Sequence, residues 1–142
     1  MEIVSSKDRP SRKGPAEYFT GTVWIDNIVV GVEPSRLRAN RVSFEPGGRT
    51  AWHTHPVGQV LHVLTGSGLV QLEGQPIQQI HPGDTVVIAP GERHWHGAGP
   101  VNTMVHLALQ EVDAQGVDVV WLEHVSDAEY AARYSSSPIA VE

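Results

Sequence analysis

The sequence predicts an all-β barrel or sandwich closed by one short C-terminal helix. Two observations carry the β assignment. From Tyr18 onward, short runs rich in Val, Ile and Leu alternate with breaks such as "VEPSR", "EPGGR", "LTGSG", "HPGD" and "APGE". These breaks recur roughly every 8–12 residues, the spacing of antiparallel strands and their turns. A third observation places the helix. In "SDAEYAARY", Ser126 stands at an N-cap with Glu129 three residues on, and Ala128, Ala131 and Ala132 favour the helical state.

Taken in order, residues 1–15 are polar, carry Pro10, Gly14 and Pro15, and read as an N-terminal arm. Their basic cluster "SRKG" reads as solvated chain rather than a binding patch. The barrel domain spans 16–125, with candidate strands at 18–30, 38–45, 51–54, 58–64, 67–73, 76–80, 85–90, 94–96, 103–112 and 117–122. The helix and tail occupy 126–142, the tail containing Pro138.

Composition narrows the function. A chain of 142 residues is one domain with room for a core. Its formal charge is −6, without the basic footprint that neutralises phosphates, so nucleic acid is not an expected partner. There is no cysteine, hence no disulfide framework and no thiolate site. No apolar run approaches membrane-spanning length and the start has no apolar targeting core, so the expectation is a cytoplasmic protein with no membrane partner. The outward positions Val105, Leu107 and Leu109 would need cover. Together with an arm able to join a partner's sheet edge, they point to a homo-oligomer.

Of eight histidines, seven fall between His53 and His106, and the chemistry lies among them. Strand side chains alternate faces, so His53 and His55 in "WHTHP" share one, as do His94 and His96 in "RHWHG". In "TMVHLALQEV", His106, Ala108 and Gln110 share a face opposite Val105, Leu107 and Leu109. Imidazole is the commonest protein ligand for divalent transition metals, and two such pairs in a β frame point to a metal pocket. His62, His81 and His124 fall outside the pattern and read as structural or surface residues. The same alternation nominates Asn40, Val42, Phe44, Leu61, Val63, Ala108 and Gln110 as pocket walls for a small-molecule substrate, with Asn40 a buried amide in need of a partner. Trp52 reads as a buried structural indole.

Gly47, His53, His55, Gln59 and Gly66 resemble in spacing the first motif of the cupin superfamily. Gly83, Ala89, Gly91 and His94 resemble the second. Three positions depart from the family pattern: Gln59 replaces a glutamate, Ala89 a proline and Ala98 an asparagine. "KGPAEYFTGTVWID", "VSFEPGGRTAWHTHPVGQ" and "WLEHVSDAEY" extend the resemblance to small bacterial cupins that include manganese-dependent (R)-mandelonitrile lyases, which share the glutamine. The resemblance implies a cupin-type double-stranded β-helix (jelly-roll) barrel. It also implies metal ligands His53, His55, Gln59 and His94, His96 and His106 beside them as candidate acid–base groups, and assembly as a homodimer or homotetramer. Of the two histidines, His106 is our preferred proton-transfer residue.

The implied cofactor is a divalent transition metal, Mn(II) first, with Fe(II), Ni(II) or Zn(II) as substitutes. Three imidazoles and an amide leave such an ion its full +2 charge, which favours Lewis-acid over redox chemistry. The implied activity is cyanohydrin cleavage to an aldehyde and cyanide. A metal-dependent dioxygenase and a non-catalytic binding module are the alternatives.

Overall fold

The computed structural model describes residues 1–132. The expected tail beyond the helix lies outside the described residues. A 3-10 turn at Ser6–Asp8 leads into β1 (Ser11–Lys13), β2 (Phe19–Thr20), β3 (Val23–Val30), β4 (Leu37–Phe44), β5 (Arg49–Thr50), β6 (His53–Thr54) and β7 (Gln59–Gly66). There follow β8 (Gly68–Leu72), β9 (Gln78–Ile80), β10 (Thr85–Ile88), β11 (His94–Ala98), β12 (Met104–Glu111), β13 (Val120–Trp121) and the helix α1 (Asp127–Ala131).

The strands form two antiparallel sheets, as expected of a jelly-roll barrel. One runs β1-β3-β4-β12-β7-β10; the other runs β13-β6-β11-β5-β2, with β8 and β9 added beside β11. Alternation explains why these segments become strands. In β7 and β12 every second residue is buried over the first five positions, which presents one apolar or functional face inward and one outward. The inward face packs Val42, Phe44, Leu61, Val63, Met104 and Ala108 into the main core, together with Phe19, Val23, Ile80 and Ile88. Each large apolar side chain fully buried there contributes about 1.5–3 kcal/mol.

The strand β11 differs, being buried at every position. One of its faces looks into the barrel. Over the other, Trp95 joins Trp52, Leu69, Val125 and Tyr130 in a second cluster under α1. The helix forms as its capping residues predict: Ser126 Oγ accepts from Glu129 N at 3.0 Å, and Glu129 Oε1 accepts from Ser126 N at 2.9 Å. Buried Arg49 ties it down through hydrogen bonds to Val125 O (2.9 Å) and Asp127 Oδ1 (3.0 Å), with its guanidinium over the Tyr130 ring.

Several expectations change. The strand expected at 18–30 is two strands, because Gly21 adopts φ 77 and turns the chain between sheets. The segment expected at 51–54 starts at His53, with β5 preceding it. Val117–Val119 lie outside any strand, since Asp113 Oδ1 accepts from Gln115 N and Val117 N and holds a turn. In the "SRKG" segment Ser11, Arg12 and Lys13 are solvent-exposed as expected, but Gly14 is buried and the segment is not free chain. Its Ser11–Lys13 pair with Trp24–Asp26 of the same chain, adding an edge strand to their own sheet. Val105, Leu107 and Leu109 are half-buried. Among the described residues no helix is long and apolar enough to cross a membrane.

Candidate metal centre

The barrel brings the two histidine pairs together by strand pairing. His53 on β6 and His94 on β11 are register partners, and their rings lie 4.2 Å apart. His55 follows in the turn after β6, its ring 5.0 Å from His53 and 5.5 Å from His94. From the opposite sheet Gln59, the first residue of β7, brings Oε1 to 3.1 Å from His94 Nε2. His96, two residues along β11, sits 5.2 Å from His53 and 5.7 Å from His94 between ring centres. All five side chains are buried.

The hydrogen bonds behind these rings decide which atoms face inward. His53 Nδ1 meets Ala51 O at 2.9 Å, His55 Nδ1 meets Asp118 O at 2.6 Å, and His94 Nδ1 meets Glu92 O at 2.9 Å. A carbonyl only accepts, so each imidazole carries its hydrogen on Nδ1 and keeps the Nε2 lone pair for the interior. His96 differs, because its Nδ1 is taken by His106 Nε2 at 2.9 Å.

Electrostatics keep the group neutral. Burial pushes His53 well below its ordinary value of 6.5, with His94 and His55 adding to the shift. Burial also lowers His55, against the opposing pull of the Asp118 carbonyl. It takes His94 down to about 4. His96 falls well below 6.5, first by burial and then by His106 and His53, and buried His106 goes to about 4. Neutral imidazole is the form that ligates a metal or accepts a proton.

These residues fit a cation. Neutral His94 has one ring hydrogen, yet both of its nitrogens face acceptor oxygens, on Glu92 and Gln59. A cation shared by Nε2 and Oε1 removes that conflict. In addition, His55 Nε2, His96 Nε2 and His106 Nδ1 are buried without a hydrogen-bond partner among the described residues. Each such atom costs about 1–3 kcal/mol, against a total stability of about 5–15 kcal/mol for a domain. Among the described residues, His53, His94 and His96 form a set with one ligand atom from each within 4.8 Å of the others. His55 lies outside that set, although the Asp118 carbonyl holds its ring and turns its Nε2 inward.

A cavity of about 210 Å³ opens beside the cluster. That is room for a small molecule. Of the expected walls, Asn40, Val42, Ala108 and Gln110 line it, while Phe44, Leu61 and Val63 do not. Those three share the inward face but lie deeper, in the core, and Phe44 packs against the His96 and His106 rings. Face alternation gives side, not depth. Asn40 is half-buried rather than buried. His96 is on the cavity wall and His106 stands behind it.

Sequence reasoning missed Tyr18, Phe19, Thr50, Asp118 and Trp121, which also line the cavity. Trp121 is the register partner of His53, stacks on Tyr18 with ring centres 4.7 Å apart, and lies 4.7 Å from the His53 ring. No local pattern marks it, because its neighbours come from distant strands. His62 bonds at the surface to Thr85, the backbone N–H of exposed His81 donates to Asp84, and His124 is exposed, so all three stand apart from the site. Trp52 packs in the second cluster, with Arg93 over its ring.

Residues 40–107 match the family model described as Cupin domain. A Granulicella tundricola protein named (R)-mandelonitrile lyase is 52% identical over 131 residues, covering 92% of this chain and 98% of that protein. The chain is a cupin. Among solved structures, a cupin-like protein from Thermotoga maritima is 36% identical with a TM-score of 0.82, covering 92% of this cupin and 97% of that chain. The polyketide cyclase RemF from Streptomyces resistomycificus is 23% identical with a TM-score of 0.65, covering 96% and 97%, and shares the fold. In this cupin both family motifs converge on the same buried cluster: Gln59 and the first histidine pair come from one, His94 from the other.

Proposed function

We propose that this cupin is a metal-dependent lyase that cleaves cyanohydrins such as mandelonitrile to an aldehyde and cyanide. The observation that carries the reading is a neutral His53–His55–Gln59–His94 donor set beside a small cavity whose wall holds a partnerless imidazole nitrogen, that of His96. The 52% identity to a protein named (R)-mandelonitrile lyase supports the substrate class.

In this reading His53, His55 and His94 through Nε2, and Gln59 through Oε1, hold a divalent ion, for which we assign Mn(II). When bound, the ion supplies Lewis acidity towards the substrate hydroxyl oxygen. His96 accepts the hydroxyl proton at Nε2, the nitrogen left once Nδ1 is engaged by His106. For that, His96 donates its Nδ1 hydrogen to His106 Nε2, so His106 orients the base and steadies its charged form. The C–C pair leaves with cyanide as the carbonyl forms, and the proton on His96 passes to cyanide. The balance is one cyanohydrin to one aldehyde and one hydrogen cyanide. Tyr18, Phe19 and Trp121 give the cavity an aromatic side suited to an aryl group.

The test is benzaldehyde release from racemic mandelonitrile by metal-free protein and by protein reloaded with Mn(II), Fe(II), Ni(II) or Zn(II). Metal-dependent release is expected. Absence of release with every metal would overturn the lyase reading and direct attention to oxygen uptake.

A further inference from the structure

An amide ligand poses a problem that a carboxylate does not. The two ends of Gln59 are nearly the same shape, yet only Oε1 can hold a cation, and Nε2 would repel one. Something must choose the orientation.

Gln59 Nε2 donates to Gln110 Oε1 at 3.0 Å, across the β7–β12 register pair Gln59↔Gln110. Gln110 has the same ambiguity, and its Nε2 donates to Asp118 Oδ2 at 3.1 Å. The chain stops there, because a carboxylate can only accept. Asp118 therefore requires the Gln110 amide group to face it. Gln110 must then turn its oxygen to Gln59, and Gln59 must turn its oxygen to the imidazoles. If Gln110 flipped, its oxygen would oppose a carboxylate oxygen. The backbone carbonyl of the same Asp118 receives His55 Nδ1 at 2.6 Å. One residue on the loop before β13 thus acts on two of the four donors.

We propose that Asp118 is a positioning residue of the metal centre, setting the polarity of Gln59 through Gln110 while two neutral amides keep its own charge off the ion. The inference rests on the metal-centre reading above. It does not depend on the lyase reaction, and its test measures binding alone.

The experiment is calorimetric titration of metal-free, full-length protein with Mn(II). The variants are Asp118→Asn, Gln59→Glu, the two combined, and Gln110→Leu. The melting temperature of each metal-free form checks the fold. The Asp118→Asn change is isosteric and leaves the carbonyl to His55 in place, but its amide lets Gln110 sit either way. It should weaken Mn(II) binding about tenfold or more, the usual effect of removing a group that orients a ligand. The Gln110→Leu change keeps the charge of Asp118 and breaks the link, and should cost a similar factor.

In the Gln59→Glu background either ligand oxygen serves and nothing needs orienting. There Asp118→Asn should cost nothing, since Gln110 is free to turn its amide group towards the introduced carboxylate. An equal loss in both backgrounds, or none in either, would overturn the relay in favour of a general charge or packing effect. Retained affinity in Gln110→Leu would do the same. A parent protein that takes up no Mn(II) would overturn the metal-centre reading itself.

Discussion

At the scale of single residues, the roles proposed for His96 and His106 reverse the preference for His106 as base drawn from the sequence. Both histidines sit on inward faces, so alternation admits either as the base. Only the three-dimensional arrangement puts His96 on the cavity wall with Phe44 and His106 behind it. We expect His96→Ala to lower cyanohydrin turnover about 10²–10⁴-fold, the range for loss of a general base, with Mn(II) content unchanged. Replacing His106 by Ala should lower turnover less and leave the metal in place. His53→Ala should instead lose the metal, measured by elemental analysis after desalting. Metal loss in His96→Ala equal to that in His53→Ala, with the metal retained in His106→Ala, would place His96 among the ligands.

At the scale of elements, two local devices hold the strands and helix that carry the site. The capping box of α1 holds the helix that covers Trp95 on the outer face of β11. Ser126→Ala should cost about 1 kcal/mol in a denaturant titration, the typical loss of a side-chain cap. The larger effect belongs to Gly66 at the end of β7. It adopts φ 76, and a Cβ there would collide with the Thr103 carbonyl. Gly66→Ala should therefore disturb the β7–β12 pairing that opposes Val63 to His106 and Gln59 to Gln110. Its expected result is a lower melting temperature together with weaker metal uptake. That pairing also contains a register shift between Val105 and His106, a bulge that nothing in "TMVHLALQEV" announces because it depends on the strand opposite.

At the scale of the molecule, burying several neutral imidazoles makes stability depend on pH. His94 and His106 titrate near 4 when folded, against 6.5 as the ordinary value. Between these values the unfolded chain binds more protons than the folded one, so stability rises with pH through that window. The metal-free protein should be most stable above about pH 6.5 and lose melting temperature steadily towards pH 4. A flat profile over that range would contradict neutral burial. Chelation should act in the same direction: an ion held only by the folded state at about 100 times its Kd adds ~2.7 kcal/mol. Melting curves with and without EDTA measure that difference directly.

The sequence by itself determined the all-β class, the capping box, the paired histidines and the Gly, His and Gln spacings of both cupin motifs. Each is a local property, written in alternation, turn residues or fixed intervals along one strand. Tertiary structure decided which inward residues reach the cavity, so that Val42 and Ala108 line it while Leu61 and Val63 fill the core. It brought Trp121 beside His53 and joined Asp118 to Gln59 through Gln110. Depth within a barrel and contact across sheets depend on strand order and register. Those are set by pairings between distant segments, which no single stretch of the chain contains.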